Sequence, residues 1–396
     1  MDMTPWRAKA PFIYEFIYRR VPEVAAADSE CCLSMAWCGG QQSGTLSCYL
    51  SQGNAPAAAT VRDWMDAGVT SEDASSAITM TAFDLPARGQ ATNIMSLLSA
   101  FNSSEVSVLH KNQKMDVNST VITSLKLHDS GRILFGCTMQ SVFVWGADAL
   151  RQRAMLLLMD DIDGVYDVGR AHVVANSSRG DVGVWKAGSQ SHMWRYNDTR
   201  RFRARASLLD SPPRITALQI ASSDDGVYVG DSLGRLSHCD FRAPHIEHLT
   251  SDHRGILKCL ELAGDTGILA GTYTGQLSLL DTRFMRAGGQ AGSQASVVRQ
   301  YHAPAGASAA TINSVRVCPH DSDILACAIG AGVYIHAKEP EQAQSLLFSH
   351  EAHQTQVTDF CWHPDRDYMY TIGSAESGVG RGSGEIQIWR PSDSVL

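Results

Sequence analysis

His353-Gln354-Thr355-Gln356-Val357-Thr358-Asp359-Phe360-Cys361-Trp362-His363-Pro364 is the most legible stretch of the chain, and a Gly-rich connection carries it into Ile386-Gln387-Ile388-Trp389. Val357 to Trp362 alternates apolar and polar positions, the period-two pattern of a half-buried strand. Thr371-Ile372-Gly373-Ser374 supplies a second strand, and the run ending at Trp389 a third. A histidine ahead of three short strands that close on tryptophan describes a small antiparallel sheet. Such a sheet cannot bury both of its faces alone, so its neighbours must resemble it.

Looser copies do recur upstream. Val121 to Asp148 closes on Val142-Phe143-Val144-Trp145, and Gly164 to Lys186 on Val182-Gly183-Val184-Trp185. Arg214 to Arg242, Gly255 to Arg283 and Thr311 to Lys338 follow, and Val357 to Arg390 is the last. An irregular further unit spans about Leu33 to Pro86 through Leu33-Ser34-Met35-Ala36-Trp37, Gly44 to Leu50 and Ile78 to Phe83. At roughly 40–45 residues per repeat, this pattern predicts an all-β, seven-bladed WD-repeat β-propeller. Stacking blades around an axis buries their apolar faces and protects their edges. One strand from each terminus commonly shares a blade, and an early strand could join the Val357–Arg390 unit. The propeller is assigned to residues 29–396, with Ala/Ser/Gly/Gln-rich insertions near 51–77, 87–115 and 286–310 read as surface loops.

Residues 1–28 are assigned to an N-terminal α-helix packing on the ring. Pro11 suits its first turn, Pro22 stops it, and Phe12, Ile13, Phe16 and Ile17 make an apolar stripe at i, i+1, i+4 and i+5.

With 396 residues, 44% hydrophobic and 19% charged, the composition is that of a packed globular chain. A formal net charge of −8 speaks against nucleic-acid binding through the whole surface. No secretory signal or membrane-length apolar run is expected. The ten cysteines are scattered, several in strand-like positions, and read as reduced, buried residues of a nuclear or cytosolic protein.

The two ends of the chain resemble the retinoblastoma-binding histone chaperones, the WD-repeat family that includes the smallest subunit of chromatin assembly factor. The resemblance is carried by Trp6 to Ile17, with its Trp, basic, Pro-Phe-aliphatic-Tyr-acidic order, and by Leu346-Leu347-Phe348-Ser349-His350-Glu351-Ala352-His353 running on to Pro364. The middle repeats match as generic WD units, with Asp240-Phe241-Arg242 and Asp281-Thr282-Arg283 echoing the family's Trp-Asp-x-Arg ending without its Trp. The resemblance implies a non-enzymatic scaffold in a multiprotein chromatin complex, located in the nucleus. It implies a groove that takes the first helix of histone H4, alone or within H3–H4. Phe12, Ile13, Phe16 and Ile17 would form one wall, and Glu339, Glu341, Leu346, Leu347 and Phe348 the other. An amphipathic basic helix suits an apolar floor with carboxylates at the rim. The loop Lys338 to Gln344 holds two carboxylates, and the strand starts that would face the axis show Thr120, Thr216, Lys258 and Thr311, with Asp163 acidic.

No cofactor, metal or small-molecule substrate is expected. Gly230-Asp231-Ser232-Leu233-Gly234 matches a nucleophile elbow, but a strand on each side makes it a hairpin turn. His245, His248 and His253, read as lying in the loop before a blade, have spacings that could hold zinc, but no fixed cysteine or carboxylate completes the set. His353 is read as a structural relay with Ser374 and Trp389. Trp194 to Arg205 interleaves Arg195, Arg200, Arg201, Arg203 and Arg205 with three aromatics, so it could contact phosphates or an acidic partner, although a solvated loop is the plainer reading. Alternative functions are a ubiquitin-ligase substrate receptor, suggested by the Arg242 and Arg283 endings, a methyltransferase cofactor, or an RNA-binding propeller.

Overall fold

The computed structural model describes residues 13–20, 35–38, 45–51, 78–84, 124–127, 133–137, 142–146, 155–157, 162–177, 182–186, 192–196, 214–242, 245–249, 255–284, 297–302, 310–339, 345–353, 355–363, 372–376 and 385–392. β1 (Tyr14–Arg20) opens this set. A three-stranded antiparallel sheet follows, made of β2 (Met35–Cys38), β3 (Thr45–Ser51) and β4 (Ile78–Asp84). The next sheet is β5 (Ser124–Leu127), β6 (Ile133–Cys137), β7 (Val142–Gly146) and β8 (Met155–Leu157). After it come β9 (Ile162–Val168), β10 (His172–Ser177), β11 (Val182–Lys186) and β12 (His192–Tyr196). β13 (Ile215–Ile220), β14 (Gly226–Asp231), β15 (Leu236–Asp240) and β16 (His245–Leu249) form a fourth sheet. The fifth holds β17 (Leu257–Leu262), β18 (Gly267–Thr272), β19 (Leu277–Asp281) and β20 (Val297–Tyr301). The sixth holds β21 (Ile312–Val317), β22 (Ile324–Ile329), β23 (Gly332–Ala337) and β24 (Leu346–His350). In the last, β25 (Val357–Trp362), β26 (Ile372–Glu376) and β27 (Glu385–Pro391) are completed by β1 from the other end of the chain.

Successive sheets face one another. β13 packs on β9 and β17, and β21 on β17 and β25, while β2 touches both β5 and β25. Each interface has its own apolar filling. Val174, Val184, Ile215, Leu218 and Val229 lie between the β9 and β13 sheets. Leu236, Leu257, Leu260 and Leu280 lie between the β13 and β17 sheets. Leu279, Ile312, Val315 and Leu325 join the β17 and β21 sheets. This explains why second strands such as β22, whose residues 325–329 are all buried, carry no polar alternation. The fit is tight enough to dictate residue size. A Cβ at Gly271 would stand 2.6 Å from Cys259 Sγ and 2.8 Å from Ile312 Cγ2.

Three expectations change. Tyr14–Arg20, inside the segment expected to be helical, is a strand antiparallel to β27, with Ile17 opposite Trp389 and Arg20 opposite Ile386. Its run of Tyr, Phe, Ile and Tyr favours a pleated, half-buried strand, and the free edge of β27 supplies a partner. Residues 1–12 and 21–28 lie outside the described set. Within the expected insertion 286–310, Val297–Tyr301 is β20, whose alternating β-formers complete the β17 sheet. His245 and His248 are strand residues of β16 rather than loop residues, and His253 lies outside the described set. Insertions 51–77 and 87–115 lie outside it too, apart from Ser51 at the end of β3.

Candidate partner-binding surface

The seam where β1 meets β27 is the best-built non-repeating feature of the molecule. Tyr14 is 3% exposed, and its hydroxyl lies 2.7 Å from His350 Nδ1. Its ring stands edge-on to Phe348 at 5.3 Å and to Trp389 at 6.1 Å. The His350 ring stacks on Trp389 at 4.1 Å and 14°, and buried His353 meets His350 edge-on at 5.3 Å. Burial holds the His350 imidazole well below its usual range, and neighbouring His353 adds to this while Gln387 opposes it. The neutral ring is the form compatible with this apolar stack. Beyond Tyr14 the chain stays tied down, because the Ser392 amide donates to the Ile13 carbonyl at 2.9 Å.

Ile13, immediately ahead of β1 in the last sheet, and Leu347, on β24 of the sixth, are both half-buried and pack on the core cluster that holds these aromatic rings. One residue of each expected wall thus packs on the same cluster. The remaining expected residues do not make a single surface. Phe348 is 4% exposed and belongs to the core. Leu346 packs against the cluster shared with the β17 sheet, on the face opposite Phe348, because the pairing of β23 with β24 shifts register between Ile335 and His336. Glu339 follows β23 and is open to water. Phe16 and Ile17 are neighbours in β1, where a helical i, i+4 stripe has no meaning because the period is two. Phe12 and Glu341 lie outside the described residues. So do Arg200, Arg201, Arg203 and Arg205, whereas Arg195 is a residue of β12.

A second cluster escaped the sequence reading. Lys126 pairs with Asp167, Arg316 Nη1 lies 3.2 Å from Glu261 Oε2, and Arg316 Nη2 lies 4.0 Å from Asp359 Oδ1. These residues come from β5, β9, β17, β21 and β25, the strands that line the axis. Burial pushes the Glu261 carboxyl up, against the pull of Arg316 and Lys126. Burial works against the charge on Arg316, but Glu261, Asp359 and Asp167 keep it protonated. The sequence did hold a signal. Lys126, Asp167, Gln219, Glu261 and Arg316 are each the next-to-last residue of their strand. The pairs satisfy one another across neighbouring sheets, which makes them a structural belt.

At the far ends of β15 and β19, Arg242 and Arg283 repeat one geometry. Arg242 Nε and Nη2 donate to Asp240 at 3.0 and 2.8 Å, and Arg283 Nε and Nη2 donate to Asp281 at 3.0 and 2.6 Å. The Arg283 hydrogen bond holds the Asp281 carboxyl below its usual range. Both arginine side chains remain mostly exposed, at 70% and 65%. Asp231 has an internal role: it accepts from the Leu233 and Arg235 amides at 2.8 and 2.9 Å and from Arg235 Nε at 2.7 Å. With Gly234 at φ 77°, these bonds make the Gly230–Gly234 stretch a hairpin turn. Among the described residues, no group of three His, Cys, Asp or Glu could hold a metal ion. Cys137 and Cys259 are pushed up to about 12 by burial, so both thiols are protonated packing groups.

No family model matches the chain, and no curated protein is similar to it. Among solved structures it is similar to the β-propeller domain of Cps50 (Swd1) from Myceliophteria thermophila. The two share 18% identity over 71% of this chain and 86% of that one, at a TM-score of 0.50. The fold of this chain is a β-propeller.

Proposed function

We propose that the chain is a non-catalytic, seven-bladed WD-repeat scaffold of a nuclear chromatin complex. We further propose that it receives a basic amphipathic helix of the histone H4 type, alone or within H3–H4, at the seam. The carrying observation is that Ile13 and Leu347 both pack on the core cluster that contains Tyr14 and Trp389, beside a sheet in which exposed Glu339 follows β23. The seven sheets among the described residues and the contact of β2 with β25 support the complete ring. The apolar pair offers a floor, and the exposed Glu339 carboxylate would favour a cationic helix over a neutral one. The closeness of the two ends to the retinoblastoma-binding histone chaperones supports the same reading.

The test is capture of recombinant H3–H4 and of a peptide of the first H4 helix by the purified chain, with Ile13→Asp and Leu347→Asp as variants. Both should weaken capture by about tenfold or more, as desolvated anchors do, with an unchanged circular dichroism spectrum. Equal capture by wild type and both variants would remove the seam from the account.

The repeated Arg242 and Arg283 forks favour a second reading, an adaptor-binding face of a ubiquitin-ligase receptor. Purification of tagged Arg242→Ala/Arg283→Ala protein separates the two. Loss of a ligase adaptor with no histone in either sample selects the second reading.

A further inference from the structure

At the end of the ring opposite the two arginine forks, where first strands begin and second strands finish, apolar side chains stand in water. Leu233, Ile256 and Tyr273 are 43%, 40% and 42% exposed. Singly such residues mean little, but Leu233 and Tyr273 sit in the second hairpin turns of adjoining sheets and Ile256 leads into β17 beside Tyr273. The Tyr273 amide donates to the Ile256 carbonyl at 3.0 Å, and Thr311 Oγ1 donates to the Tyr273 carbonyl at 3.1 Å. The Ser232 amide donates to the Arg214 carbonyl at 2.8 Å, which ties the Leu233 turn to the start of β13. Leu257 bridges the two sheets beneath: a Cβ on Gly230 would stand 3.0 Å from its Cδ1. Both groups thus stand on the same rim, above the packed β13 and β17 sheets.

Among the described residues, the charge on this strip of the rim has one sign. Lys258 Nζ sits 5.3 Å from the centre of the Tyr273 ring, and exposed Arg214 flanks the Leu233 turn. The carboxylate of Asp231 is 2% exposed and occupied by Arg235 and by its own turn, so among the described residues no acid offsets these cations. A cationic, apolar strip on a molecule of formal net charge −8 is a local inversion of the surface. Turn positions ordinarily carry small polar residues, so two large apolar ones there, with Ile256 beside them, place a cost on solubility that a ligand would offset.

We propose that this rim binds an acidic peptide segment of a partner protein, with an aliphatic or aromatic side chain seated between Leu233 and the Ile256–Tyr273 pair. Its carboxylates meet Lys258 and Arg214. The lysine is held over Tyr273 ready for them, and desolvation by the apolar anchor strengthens the attraction. The sign of the charge separates this site from the seam, which selects a cationic helix, so either can fail without the other.

The experiment is fluorescence anisotropy on the full chain with a labelled peptide of alternating Asp, Glu and Leu around one Phe. Its control replaces every acid with Lys. The acidic probe should bind saturably and weaken with added salt, and the basic control should not bind at the rim. Lys258→Glu and Ile256→Asp should each weaken the acidic probe by roughly tenfold or more, because a like charge or a buried carboxylate now faces it, while Arg242→Glu at the far end should leave it unchanged. Tyr273→Ala and Arg214→Glu serve if either first variant fails to fold. Binding indifferent to all four changes, or no saturation by about 100 μM, weaker than the micromolar range of specific complexes, overturns the proposal. So does displacement of the acidic probe by single-stranded RNA whose own binding is lost in Lys258→Glu, which would assign the strip to nucleic acid.

Discussion

The Tyr14 hydroxyl is the smallest group on which ring closure depends. It reaches His350 Nδ1 at 2.7 Å across a separation of 336 positions, inside a cluster that excludes water. A buried acceptor left unpaired costs about 1–3 kcal/mol. Tyr14→Phe keeps the ring contacts with Phe348 and Trp389 and removes only this bond. The variant should therefore unfold at lower temperature, by an amount corresponding to about 1–3 kcal/mol, with no change in blade content by circular dichroism. A melting temperature equal to wild type would mean that His350 finds another partner and that the contact is incidental. Phe348, expected in a binding groove, shows why residue type alone misplaced it. A large apolar residue beside a loop reads as an anchor for a partner, and only the fold reveals that Tyr14 and Trp389 already occupy its two sides.

At the scale of elements, the sequence was clear where a strand repeats and ambiguous where one is borrowed. β25 to β27 and the first three strands of most other sheets lie where alternation and turn residues place them. The outer strands were harder: β12 and β20 follow sparse or loop-like composition, and their partners are supplied by the preceding strand rather than by a local hairpin signal. β1 is the instructive case. Phe12, Ile13, Phe16 and Ile17 fit a helical stripe, but Tyr14, Phe16, Ile17 and Tyr18 equally fit a strand, and periodicity over so short a run does not arbitrate. What decides is the open edge of β27, which no local window contains. The element makes a prediction. A chain lacking residues 1–20 should expose β27, lose solubility and melt well below the full protein, while a synthetic peptide of residues 11–22 added in trans should restore the melting temperature. No response to the peptide would show that β1 decorates a ring already closed.

Across the whole molecule, buried imidazoles set the direction of the response to acid. His336, on β23, is held at about 4 by burial, with His302 adding to the shift, and Tyr301 and Ser345 face its ring. His350 is shifted the same way among Tyr14, His353, Trp389 and Gln387. In the unfolded chain both take up protons near the ordinary value of 6.5, whereas the folded chain refuses them until the pH is far lower. The unfolded state thus binds more protons between about pH 6.5 and 4, and stability falls as pH falls through that window. His336 alone accounts for roughly 2 kcal/mol of loss at pH 5, taking about 1.4 kcal/mol per unit. Glu261, whose carboxyl is raised by burial, has the opposite sign and offsets part of the loss, because its folded form gains its proton first on acidification. Thermal melts from pH 7.5 to 5 should therefore show a monotonic decline. His336→Gln, which cannot titrate, should start from a lower melting temperature but decline less steeply. Parallel curves for the two proteins would mean that His336 is solvated in the folded ring, and the acid response would then have to be assigned to the seam.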